Sequence, residues 1–178
     1  FQQGVQAKLP EHKLARLLRI PLLGGLVRRK IIKALGLDQC RIAAGGAAPM
    51  PVALLNWFRR LGLPINEGYG MTENLAICTI TQPGVDMTGT VGPAYEGVQL
   101  RVDPANGELL MRSPAVMLGY YKEPAMTAEV LDAEGWLHTG DKASLDTQGL
   151  VRITGRVKDL FKTSKGKYVA PAPIEEIG

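Results

Sequence analysis

The pattern of apolar and polar positions changes character along the chain. Before Gly36 the apolar residues fall at helical spacing. Leu14, Leu17 and Leu18 lie between Arg16 and Arg19, and Val27, Ile31 and Leu35 share one face of a second segment. This spacing predicts a helix over residues 14–20 stopped by Pro21, a joint at Gly24-Gly25, and a helix over residues 26–35 ended by Gly36. Arg41-Ile42-Ala43-Ala44 reads as a short buried strand that runs into the small-residue turn Gly45-Gly46-Ala47-Ala48-Pro49. Leu54, Leu55, Phe58 and Leu61 predict a further helix, with Pro51 at its first position and Gly62 past its end. An extended segment, Leu63-Pro64-Ile65-Asn66, follows. Strand, helix and strand with a short return make a βαβ unit and imply a parallel sheet. Turns at residues 45–49 and 68–70 would then emerge on one edge of it.

After Glu73 the pattern becomes strand-like. Gly and Pro punctuate short runs at residues 90–91, 98–102, 108–112 and 150–153, and Asn106-Gly107 marks a hairpin. Residues 124–131 read as a short helix between strands. The expected fold class is α/β followed by antiparallel β, a small barrel or sandwich.

Composition narrows the class. Hydrophobic residues make up 46% of the 178, enough for a packed core. Cys40 and Cys78 show no metal-type spacing and no disulfide framework, which fits a reducing compartment. No run is long enough to span a bilayer and no signal-peptide pattern occurs. Charge is uneven: residues 1–60 carry 11 Lys/Arg against 2 acids, a net +9, and residues 61–178 carry a net −5. The basic third suits an anionic surface such as membrane headgroups, nucleic acid or polyphosphate. It also suits surface helices with a solvated cationic face, the normal state of an amphipathic surface helix.

Candidate chemistry gathers at Tyr69-Gly70-Met71-Thr72-Glu73. A tyrosine can stack on a purine, a threonine hydroxyl can bond phosphate, and a glutamate can hold a Mg²⁺ that bridges phosphates. The same residues also fit a tight turn with Glu73 favoured by a helix dipole. Small residues at 45–49 let a flat ring lie against backbone, or make a plain strand-to-helix turn. In Gly135-Trp136-Leu137-His138-Thr139-Gly140-Asp141, Trp136 reads as a packing anchor and His138 as structural. Asp141, presented by a tight Thr-Gly turn, can accept two hydroxyls as ribose-binding acids do, or close an Asx turn. Arg156 could bond a nucleotide, and the polar stretch around it suits a hinge. Residues 162–167 lack the glycine that a Walker loop needs, because position 160 is Leu160.

Five blocks in order, Gly46-Ala47-Ala48-Pro49, Tyr69-Gly70-Met71-Thr72-Glu73, residues 135–141, Gly155-Arg156-Val157-Lys158-Asp159 and residues 164–174, resemble the adenylate-forming superfamily of acyl-CoA synthetases, luciferases and adenylation domains. Gly119-Tyr120-Tyr121-Lys122 and residues 168–175 look most like its long-chain fatty acyl-CoA synthetase branch. The resemblance implies a two-step ligase: a carboxylate and ATP give acyl-AMP and pyrophosphate, and CoA then displaces AMP. It implies ATP, Mg²⁺ and CoA as substrates and cofactors. It also implies ATP/AMP, fatty acid and CoA as partners and no nucleic acid. A cytoplasmic place is expected, with the basic helices at residues 13–36 bringing the enzyme to its lipid substrate at an anionic membrane. Gly46, Ala47 and Ala48 would line adenine, Tyr69 would stack on it, and Glu67 would accept from its amino group. Thr72 and Glu73 would be catalytic, Thr72 on phosphate and Glu73 on the metal. Asp141 would take both ribose hydroxyls, with Arg156 on the other side. Lys158 would be the hinge and Gly166 would lie near the pantetheine path.

By the same resemblance, residues 1–95 are part of the α/β subdomain, residues 96–155 the antiparallel β subdomain, and residues 156–178 the hinge and start of a small α+β domain. The chain opens on Phe1 and closes inside an apparent element, so a fragment is expected. The family's phosphate loop and catalytic lysine are expected outside it, Lys162, Lys165 and Lys167 do not take that role, and the isolated chain is expected to make no acyl-CoA. The rival within the family is an acyl-AMP ligase that loads a carrier protein. The rival of another class is a non-catalytic basic module that binds an anionic surface through residues 8–60.

Overall fold

The computed structural model describes residues 11–157, together with the backbone of two short paired strands at Phe161–Lys162 and Tyr168–Val169. The chain divides into two compact units, Phe1–Ala43 with Val52–Ile65, and Ala44–Pro51 with Asn66–Gly178.

The first unit holds helices α1 (Glu11–Leu18), α2 (Leu23–Ala34) and α3 (Val52–Arg60). Leu14 and Leu18, one turn apart on α1, pack with Trp57 and Leu61, and Val27, Ile31 and Phe58 close around them. The expected joint at Gly24-Gly25 moves. The chain turns at residues 19–22, and the glycine pair falls in the first turn of α2. Gly24 is buried, and a Cβ there would stand 2.5 Å from the Leu18 carbonyl oxygen. Its small size therefore serves close helix packing, not a hinge.

In the second unit a small sheet runs in the order β1 (Ala43–Gly45), β2 (Ile65–Tyr69), β3 (Thr79–Ile80). β1 is shorter than expected and is not buried, with Ile42 78% exposed beside it. An edge position covers only one side of a strand, which is why apolar composition alone misjudged it. β2 extends past the expected end at Asn66 and takes in Glu67, Gly68 and Tyr69. Its pairing with β3 is antiparallel, Gly68 opposite Ile80 and Tyr69 opposite Thr79.

The antiparallel region is a four-stranded meander, β4 (Gln99–Val102), β5 (Glu108–Arg112), β6 (Leu137–Leu145) and β7 (Val151–Arg156). The fold class is α/β followed by antiparallel β, as the polarity pattern predicts. The β4–β5 hairpin turns at Asn106-Gly107, where Gly107 takes φ 77 and its amide bonds the Asp103 carbonyl at 2.8 Å. Helix α4 (Pro124–Val130) lies between β5 and β6 in sequence. Among the described residues of this unit two apolar clusters form, one around Cys78, Met111 and Leu137, the other around Leu109, Ala143 and Val151. Residues 90–91 form no strand; the Val91 amide instead bonds the Val151 carbonyl at 2.8 Å. The longest strand, β6, carries the stretch read from sequence as a tight turn, and β7 carries the stretch read as a hinge boundary.

Gly92 joins these parts. It takes φ 81, and a Cβ there would stand 2.1 Å from the Ile80 carbonyl oxygen. Gly92→Ala is expected to cost roughly 2–3 kcal/mol, since it adds a backbone clash to the left-handed penalty. Gly149, with φ 78 and nothing within 4 Å of the added carbon, is the control. Gly149→Ala should cost only about 1 kcal/mol. Urea unfolding midpoints of the two variants check the order.

Candidate functional site

Strand β2 sets the first groups of the site. Alternation puts Glu67 and Tyr69 on the same side of it. Glu67 is 8% exposed, and its Oε1 accepts the Met50 amide at 3.1 Å. This bond ties the small-residue loop to the strand. Gly46, Ala47 and Ala48 in that loop are exposed, and a Cβ on Gly46 would stand 3.2 Å from the Gly68 carbonyl oxygen. Ala47 takes φ 67, a left-handed backbone unusual for a residue with a Cβ. Burial pushes the Glu67 carboxyl above its ordinary 4.5, opposed by the Met50 amide.

Tyr69 ends β2. Its hydroxyl donates to Asp141 Oδ2 at 2.6 Å, across 72 residues of sequence. Burial and then this bond raise the phenol far above its ordinary range, so it remains a donor at any physiological pH. Beside it the Cys78 thiol is pushed up to about 12 by burial, which leaves it a packing group and not a nucleophile. The other Asp141 oxygen, Oδ1, is 2.9 Å from Arg156 Nε. Asp141 and Arg156 are cross-strand partners, so the register of β6 against β7 delivers this pair. Asp141 is 7% exposed, whereas the Arg156 side chain is 60% exposed. Each carboxylate oxygen has a second lone-pair direction, so Asp141 can still accept hydroxyls while held by Tyr69 and Arg156.

Thr72 and Glu73 open a short 3-10 turn, Thr72–Asn74. Asn74 anchors it from below: 1% exposed, it accepts the Met71 amide at 2.9 Å and donates to the Met111 sulfur. Thr72 is exposed, so its hydroxyl is available to a ligand. Glu73 Oε1 accepts the Tyr120 hydroxyl at 2.7 Å, and its carbonyl accepts the Met117 amide at 2.7 Å. That bond to Glu73 raises the Tyr120 phenol.

The structure thus brings Tyr69 and Arg156 each onto one oxygen of Asp141, places Gly46 against β2, which carries Glu67 and Tyr69, and sets Thr72 and Glu73 just beyond that strand. Lys158 and Gly166 lie outside the described residues. Asp141 is presented by a strand and not by a tight turn, because β6 continues through Gly140. Sequence reasoning missed Tyr120, whose block Gly119-Tyr120-Tyr121-Lys122 offered a signal without a role. Its reach to Glu73 spans 47 residues and no local pattern announces it.

The family described as AMP-binding enzyme matches residues 7–121. Long-chain-fatty-acid–CoA ligase FadD15 of Mycobacterium bovis is 41% identical over 151 residues, 85% of this chain and 25% of its own length. Human long-chain-fatty-acid–CoA ligase 1 is 38% identical over 163 residues, 85% of this chain and 23% of its own length. Among solved structures, O-succinylbenzoate coenzyme A synthetase of Bacillus subtilis, in complex with ATP and magnesium ion, superposes with a TM-score of 0.68 at 26% identity. That match covers 94% of this chain and 34% of the synthetase. The chain spans about a quarter of the length of the curated relatives it matches.

The raised Glu67 carboxyl has a consequence for stability. Below its ordinary 4.5 both folded and unfolded chains hold the proton. Above it the unfolded chain ionises first, so stability is lost as pH rises through the folded value. Glu67→Gln keeps an oxygen for the Met50 amide and lacks the ionisation. It is expected to match the parent below pH 4.5 and to melt higher at pH 7, as thermal scans at the two pH values will read.

Proposed function

The chain belongs to the AMP-binding enzyme family, and from that premise we propose that it is part of an ATP-dependent long-chain fatty acid–CoA ligase. The observation that carries this is the contact of Tyr69, Asp141 and Arg156, three groups suited to one adenosine. In the first half-reaction a fatty acid carboxylate oxygen attacks the α-phosphorus of ATP, the bond to pyrophosphate breaks, and acyl-AMP forms. In the second, the CoA sulfur attacks the acyl carbon, AMP leaves and the thiol proton is released.

Each residue has a place in this scheme. The loop Gly46-Ala47-Ala48 and the ring of Tyr69 hold adenine, and Glu67 accepts from its amino group. Asp141 takes both ribose hydroxyls, with Arg156 beside it. Thr72 donates to phosphate. Such chemistry depends on positioning and charge stabilisation more than on covalent help from the protein. Glu73 would hold a Mg²⁺, an ion that proteins bind through one or two carboxylates. When bound, the ion would neutralise charge on the phosphates. Tyr120 holds the Glu73 carboxylate in place for it.

We assign residues 1–95 and 96–155 to the two subdomains of the large domain and residues 156–178 to a hinge and the start of the small one. Lys158 is the hinge residue in this scheme, and Gly166 lies along the pantetheine path. The enzyme works in the cytoplasm and meets lipid at an anionic membrane. In support, a cavity of about 590 Å³ in the helical unit is lined by His12, Arg19, Arg28 and Arg60, with Ala15 and Leu18. No helix among the described residues is long and apolar enough to cross a membrane.

Two experiments test these assignments. In the whole protein that carries this chain, a long-chain fatty acid should drive pyrophosphate release from Mg·ATP, and CoA should drive AMP release. Asp141→Ala should weaken nucleotide binding by about tenfold to a hundredfold, the loss expected for hydrogen bonds to a charged group. Fatty-acid-dependent pyrophosphate release with no response to CoA would point to another acyl acceptor, and full activity in Asp141→Ala would refute the site. For the membrane, binding to vesicles with anionic lipid should exceed binding to neutral vesicles and fall with salt, since each basic residue near such a surface is worth about 1 kcal/mol. Equal binding to both vesicle types would overturn it.

A further inference from the structure

Strands β5 and β6 do not keep step. Leu110 stands opposite His138 and Glu108 opposite Lys142, so four steps along β6 face two along β5. The surplus residues bulge at Thr139-Gly140-Asp141, and Gly140 takes φ 74. A bulge breaks the ladder and leaves backbone groups without strand partners. Here side chains supply them. The Thr139 hydroxyl donates to the Leu109 carbonyl at 2.7 Å, and the Gly140 amide donates to Glu108 Oε1 at 2.8 Å.

Glu108 is 7% exposed, an expensive place for a carboxylate unless its oxygens are bonded. Both are: the second, Oε2, lies 3.2 Å from His138 Nδ1, and His138 Nε2 is 4.0 Å from Asp132 Oδ2. This buried carboxylate therefore holds the Thr139–Gly140 peptide, one link before the peptide that enters Asp141. With the Thr139 hydroxyl accepting the Asp141 amide at 3.1 Å, that held peptide sets the course of the chain into Asp141 and so where its side chain points.

Resting on the assignment of Asp141 to the ribose, we propose that Glu108 is the positioning residue that aims Asp141 at the nucleoside. Glu108 touches no ligand itself. It pins the bulge, and the pinned bulge sets Asp141 between Tyr69 and Arg156. Without Glu108 the Gly140 amide would lose its acceptor, the bulge would be free to relax into a regular register, and Asp141 would swing off its partners.

The test has two arms, both on the whole protein that carries this chain. In the first, ¹⁵N NMR without nucleotide follows the Gly140 amide and the Arg156 Nε–H. Glu108→Ala should move the Arg156 signal toward its position in Asp141→Ala, whereas Glu108→Gln, which keeps an acceptor for Gly140, should leave it near the parent. An unchanged Arg156 signal in folded Glu108→Ala overturns the proposal. If Glu108→Ala does not fold, Glu108→Asp carries the same expectation, since one methylene fewer withdraws the acceptor from Gly140.

The second arm compares AMP with 2′,3′-dideoxy-AMP. Glu108→Ala should lose roughly threefold to tenfold of the preference for AMP, the worth of a hydrogen bond, with dideoxy binding unchanged and the preference rescued by Glu108→Gln. Equal weakening of both ligands would mark a merely structural role and overturn the proposal. If the parent chain shows no preference for AMP, the ribose assignment of Asp141 fails, and the first arm still decides whether Glu108 places that side chain.

Discussion

A carboxylate buried in a strand is the constraint around which the second unit is arranged. Asp141 sits on the covered face of β6, in step with Leu137, Thr139 and Ala143. A charge there persists only if it is paired and hydrogen-bonded. The partners come from two directions. Arg156 arrives through the β6–β7 register and Tyr69 through the end of β2. A change in either strand would leave the charge without compensation. Fold and site are therefore specified by the same contacts.

The small-residue turns complete this arrangement by allowing backbone to approach backbone. Gly70 lies so close to the segment after the 3-10 turn that a Cβ would meet the Ala76 carbonyl oxygen at 2.0 Å. That approach lets the chain leave β2, pass Thr72 and Glu73, and return as β3 within ten residues of Tyr69. Asn74, buried beneath the turn, satisfies the Met71 amide that the reversal would otherwise orphan. Thr72 can then stay exposed without loss of order. Glu73 is steadied from a distant segment by Tyr120.

Polar groups also carry the packing of Trp136. It is 8% exposed, with the Arg101 guanidinium 4.4 Å and the Arg112 guanidinium 4.9 Å from its ring centre. Two cations against one indole favour a well-ordered edge to the meander. Gln99 and the Glu134 carbonyl hold Arg112 in turn. The anchor role expected of this tryptophan thus rests on its neighbours in β4 and β5.

Local chemistry made several features legible in the sequence alone. Helical spacing announced three helices, Asn106-Gly107 announced the hairpin, and the order of the polar blocks announced the family. These signals are local because helix periodicity and turn stereochemistry act within a few residues. The sequence also named Tyr69, Asp141 and Arg156, and the family resemblance set them around one adenosine. Only the tertiary structure decided that they touch, since strand pairing joins residues 72 apart for Tyr69 and Asp141. It turned a supposed tight turn into the bulge of a nine-residue strand. It left Ile42 exposed where composition suggested burial, because coverage by neighbours is not written in a strand's own residues. It also gave Glu108 and Tyr120 their partners, 32 and 47 residues away, through contacts that register sets and no local pattern encodes.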